Sequence, residues 1–89
     1  MSSRLLFRKG IIEVILYLFK VKEAGYYELY KQGFVVSRQT FSKILKMLEE
    51  KNIVERKLLD TRPPKVKYRL TKKGLKIAET VQKLNEIIK

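Results

Sequence analysis

The sequence predicts a mainly α fold with a small β-hairpin (α+β), its elements in the order α-α-α-β-β-α. Three observations carry that expectation. Apolar residues recur at helical spacing in three stretches, near residues 11–21, 37–51 and 72–88, with a shorter helical turn at 26–30. β-Branched and aromatic residues alternate with charges over Val54–Leu59 and Val66–Leu70. Gly25, Gly33 and the pair Pro63–Pro64 punctuate the chain where turns are needed. With 89 residues and no internal repeat, residues 1–89 form one domain, small enough that a second copy would help complete its core.

The first helix is expected from Arg8 to about Val21. Its residues Ile11, Ile12, Val14, Ile15, Leu16, Leu18 and Phe19 cover more than one helical stripe, which implies burial on two sides. "YYELY" then forms a short helix between the breaks at Gly25 and Gly33. The next helix opens at Ser37, whose hydroxyl suits an N-cap, and carries Phe41, Ile44, Leu45 and Leu48 on one face. It ends near Lys51, with Asn52 able to take the left-handed cap that glycine usually supplies. The two strands follow, joined by the proline-stiffened turn Asp60–Lys65. Thr71 caps a last helix, Lys72 to Ile88, whose apolar stripe lies between lysines.

Composition limits what such a domain can do. Lys plus Arg total 21 against 9 for Asp plus Glu, a net charge of +12, so polyanions should gather on its surface. The excess is uneven: residues 52–70 hold six basic and two acidic side chains, whereas residues 11–36 hold three of each. With no cysteine and no histidine, thiolate and imidazole chemistry is absent, so neither an enzyme nor a metal site nor a cofactor is expected. The N-terminus does not read as a secretory signal and no apolar run can span a bilayer, so a cytoplasmic, nucleoid-associated protein is expected, without a membrane partner.

A short helix, a tight turn and a longer helix opened by small polar and basic residues is the helix-turn-helix arrangement, here about residues 26–51. The basic hairpin at about 54–70 makes it winged. A helix that reads a major groove must bury one face and offer donors and acceptors on the other. The outer face would carry Ser37, Arg38, Gln39, Thr40, Ser42, Lys43 and Lys46, with Arg38 suited to guanine O6 and N7 and Gln39 to adenine N6 and N7. The wing would place Arg56, Lys57, Arg62, Lys65 and Lys67 on phosphates, with Arg69 as a further candidate. Strand alternation prevents all of them from facing one partner, and Arg62 and Lys65 at the tip are favoured. Leu75, Ala78, Val81, Leu84, Ile87 and Ile88 on the last helix (about 72–88) would make a homodimer seam, aided by the N-terminal segment and the first helix. Tyr17, Tyr26, Tyr27 and Tyr30 read as packing residues rather than surfaces on which bases stack.

"YYELY", "SRQTFSKILKMLEEKNIVER" and "PPKVKYRLTKKGLKI" resemble the winged helix-turn-helix transcriptional regulators of the HxlR, PadR and MarR types. Their wing commonly ends in a Tyr-x-Leu-Thr-x-x-Gly run, occupied here by Tyr68, Leu70, Thr71 and Gly74. The resemblance spans about Ile11 to Ala78 and implies a dimeric, double-stranded DNA-binding repressor or activator. Asn52 stands where the family usually has glycine, the first helix lacks the tryptophan typical of HxlR proteins, and there is no cysteine for the redox sensing some members use. No small-molecule effector is evident. The alternatives are a winged helix used for protein contact and a non-specific, chromatin-type DNA-binding protein.

Overall fold

The structure, a computed structural model, describes residues 10–88. Its elements are α1 (Ile11–Val21), β1 (Glu23–Gly25), α2 (Tyr26–Tyr30), α3 (Arg38–Glu50), β2 (Val54–Leu59), β3 (Lys65–Leu70) and α4 (Lys72–Ile88). The expected order of helices and hairpin is therefore observed, with one strand added. α1 begins at Ile11 because Gly10 adopts a left-handed backbone (φ 94°) as its N-cap, and Glu13 turns back to accept the Gly10 N–H at 3.1 Å. The expected start at Arg8 falls outside the described residues.

α1 buries Ile11, Val14, Ile15 and Leu18 completely and half-buries Ile12, Leu16, Tyr17 and Phe19, leaving Glu13 and Lys20 exposed. It is the central helix of the domain. Phe41, Ile44, Leu45 and Leu48 of α3 meet it in one core, closed by Leu29, Ile53, Val54, Tyr68, Leu70 and Ala78. Among the described residues that core contains no buried charged side chain.

β2 and β3 pair antiparallel from Val54 opposite Leu70 to Leu59 opposite Lys65, so β3 starts one residue before the alternation suggested. β1 joins the free edge of β3, Ala24 opposite Tyr68, giving a sheet ordered β1-β3-β2. Reading the sequence missed β1. Three residues with only Ala24 pointing inward show no alternation to detect, and the strand exists because β3 offers it an edge.

The joints are built from the expected residues. Gly33 turns with φ 76°, where a side chain would be strained, and Asn52 takes φ 61° after α3. The Thr71 hydroxyl accepts the Gly74 N–H at 3.0 Å and donates to Asn52 O at 2.6 Å, tying the start of α4 to the end of α3. Gly74 lies so close to the Ile53 carbonyl that a Cβ there would collide with backbone. α4 thus docks through its first two turns.

Candidate nucleic-acid interface

α3 presents the candidate reading surface. Ser37 caps it, its Oγ accepting the Thr40 N–H at 3.3 Å. The 3.6-residue period sets Gln39, Lys43 and Lys46 opposite the buried face, and all three are exposed. Arg38 and Ser42 lie on the flank toward α2, while Thr40 is half-buried on the other flank. Glu49 and Glu50 occupy the C-terminal turn, which leaves the polar and basic character to the N-terminal part of the helix.

Two tyrosines of α2 hold that N-terminal part. The Tyr26 hydroxyl lies 2.7 Å from Ser42 Oγ and 3.4 Å from Arg38 O, and the Tyr30 hydroxyl donates to Val36 O at 3.0 Å. Both rings pack against Phe41, at 5.5 and 5.6 Å between centroids. Tyr17 packs edge-on against Phe34. These three agree with the packing expected of them, whereas Tyr27 points outward and is exposed. The packing of Tyr26 and Tyr30 against α3 was missed; the density of aromatics in "YYELY" was the only signal.

The wing divides its charges by strand register. Arg56 shares a face with Tyr68 and Val66 and looks toward α3; Lys57, Lys65, Lys67 and Arg69 lie on the other face. Two of these are already paired: Arg69 Nε with Glu55 at 2.6 Å and Lys67 Nζ with Glu28 at 3.4 Å. Lys67 is half-buried, and its pairing with Glu28 competes with the phosphate contact expected of it. Arg56, Lys57, Arg62 and Lys65 form no ion pair among the described residues. At the exposed tip the Thr61 hydroxyl donates to Pro63 O at 2.9 Å, and Arg62 and Lys65 flank the proline pair.

Glu28 is held below the usual carboxylate range, first by the Gly25 N–H that it accepts and then by Lys67. Burial pushes the Tyr68 phenol up, with Arg56 opposing. Between α3 and the sheet lies an open groove of about 530 Å³, bordered by Ser42, Lys46, Glu49, Arg56 and Tyr68. The groove joins the exposed face of α3 to the inner face of the wing.

Of the residues expected at a dimer seam, Ala78 belongs to the domain's own core and is fully buried. It sits in the part of α4 that packs against the core. Val81 is half-buried, and Leu75, Leu84, Ile87 and Ile88 are exposed. No helix among the described residues is long and apolar enough to cross a membrane, and no three or more carboxylates among them cluster as metal ligands would.

The HxlR-like helix-turn-helix family model matches residues 8–89. Among solved structures, the reduced form of the transcriptional regulator YodB from Bacillus subtilis superposes with a TM-score of 0.80 at 27% identity, covering 96% of this chain and 82% of that one. Diamide-treated YodB gives 0.77 at 29% identity, covering 97% and 86%. A transcriptional regulator homologue from Pyrococcus horikoshii gives 0.82 at 17% identity, covering 99% and 88%, a likeness of fold. No curated protein matches the chain in sequence.

Proposed function

The chain belongs to the HxlR-like helix-turn-helix family, whose members regulate transcription and are not enzymes, and from that premise we propose that it acts as a homodimer that binds double-stranded DNA sequence-specifically. The observation that supports this reading is the two-sidedness of α3. Its apolar face is wholly buried while Gln39, Lys43 and Lys46 stand exposed on the opposite face, beside a wing whose Arg56, Lys57, Arg62 and Lys65 form no ion pair among the described residues. α3 enters the major groove, Arg38 and Gln39 read base edges, and Ser37, Thr40, Ser42, Lys43 and Lys46 add polar and phosphate contacts. Arg62 and Lys65 at the wing tip grip the backbone and set the register of α3, and of Arg56 and Lys57, which lie on opposite faces of the wing, only the one whose face meets the DNA adds a further contact.

Leu75, Val81, Leu84, Ile87 and Ile88 meet their counterparts across a two-fold axis. The paired helices α3 then enter successive major grooves, with half-sites about 10 bp or a multiple apart. On this reading the protein acts in the cytoplasm, on the nucleoid.

The test is a fluorescence-anisotropy titration against random duplex and against a pool selected from randomised DNA, across a salt series. An enriched palindrome bound with a steep salt slope is the expected result. Changing Arg62 and Lys65 to Ala should weaken all duplexes alike and flatten the slope by about one unit per lost contact. Arg38→Ala should cost about 1–3 kcal/mol and relax preference at one base pair. Steep binding without enrichment would instead identify a chromatin-type coating protein, and no binding a protein-contact module.

A further inference from the structure

We propose that Tyr26 and Tyr30 form an aromatic platform that pre-orients the Arg38 guanidinium, so that two side chains outside α3 set how sharply it reads its base. The inference rests on the reading of α3 as the recognition helix. Tyr26 and Tyr30 are one helical turn apart on α2, and their rings stack at 6.4 Å with planes 12° apart. Phe41, fully buried, supports both from below. The Arg38 guanidinium carbon lies 6.0 Å from the Tyr26 ring centre and 5.7 Å from that of Tyr30, the range over which a ring's negative face attracts a cation.

The chemistry of this support matters for a base-reading arginine. A carboxylate partner would have to be released before binding and would repel phosphates. A neutral phenol ring does neither. A free arginine loses rotamer freedom when its planar fork engages a base, whereas one already resting on a flat stack has lost part of it beforehand. The hydroxyls act on the same segment: Tyr30 ties Val36 O and Tyr26 reaches Arg38 O and Ser42 Oγ, fixing the backbone on both sides of the Ser37 cap. Backbone and guanidinium are therefore positioned by one pair of residues.

Two measurements on the intact chain test this. In competition anisotropy, discrimination is read at the base pair whose preference Arg38→Ala relaxes. Combining Tyr26→Leu with Tyr30→Leu should lower it about three- to ten-fold while random duplex binds as before, and the Phe pair, which keeps both rings and loses only the hydroxyl ties, should lose less of it than the Leu pair. Undiminished discrimination in the Leu pair, or an equal loss on every duplex, would overturn the platform. In NMR of the DNA-free protein, the Arg38 δ-methylene protons should show a ring-current shift. Its absence in the folded wild type would overturn the platform even if the Leu pair failed to fold. Should no DNA sequence be selected at all, the regulator reading fails, and the NMR shift still decides whether the platform exists.

Discussion

α3 and α4 are both amphipathic helices with apolar stripes of similar spacing, yet the domain treats them differently. Phe41, Ile44, Leu45 and Leu48 of α3 are at most 1% exposed, whereas on α4 full burial stops after Ala78, and Leu84, Ile87 and Ile88 are 56%, 81% and 73% exposed. α3 is enclosed by α1, α2 and β2. α4 is held only at its beginning, by Thr71, Gly74 and Ala78, and no later segment among the described residues covers its end. The comparison teaches that an apolar stripe states a need for cover without saying who supplies it. For α3 the chain does; for the end of α4 we propose a second copy.

The sharpest way to break this comparison is to truncate one side chain on each helix. Phe41→Ala should cost about 3–5 kcal/mol in urea unfolding, through the cavity left beneath α2. Ile87→Ala, measured dilute enough to keep the chain monomeric, should stay within about 0.5 kcal/mol. Equal costs would mean that the two stripes are not in different environments.

Changing Leu84 and Ile87 together to Lys should leave the helical circular-dichroism signal intact but weaken dimerisation at least about 100-fold, because four apolar side chains leave the two-fold seam. Sedimentation equilibrium measures this, and an unaltered dimer would move the seam elsewhere. Gly74→Ala probes the docked end. Alanine favours helix, but its Cβ would meet the Ile53 carbonyl, which already accepts from Thr71 N at 3.0 Å, so a loss of about 1–3 kcal/mol is expected. A raised Tm would show that α4 can lift away from Ile53 freely.

The smallest effect lies away from both helices. The Glu28 pKa is lowered from 4.5 in the folded state, so its contribution is present above the unfolded value and is lost as pH falls through the folded one. Wild type and Glu28→Gln should therefore converge in stability in acid and diverge slightly above about pH 5. A difference that widened in acid would reverse the sign and exclude this carboxylate as the cause.

Much of the fold was readable before any coordinates, and for local reasons. Ser37 as a cap, Gly33 and Asn52 as left-handed joints, and the two hairpin strands each depend on a residue's own backbone preference or on its immediate neighbours. The candidate interface was readable to the same extent. Periodicity alone sets Gln39, Lys43 and Lys46 opposite Phe41 and Ile44. Which cations remain unpaired was not readable, since Lys67 meets Glu28 and Arg69 meets Glu55 only after β1, β2 and β3 align.

What the sequence determined by itself, then, is where the helices and the hairpin lie and turn and which side of each helix needs cover, because propensity, capping and periodicity act over a few residues. What only the tertiary structure decided is the partner of each side chain: β1 on the edge of β3, Ala78 against the core, and Arg38 over the rings of Tyr26 and Tyr30. Those contacts join residues far apart in the chain or on separate elements. Their free energy depends on packing geometry, which no short-range pattern encodes.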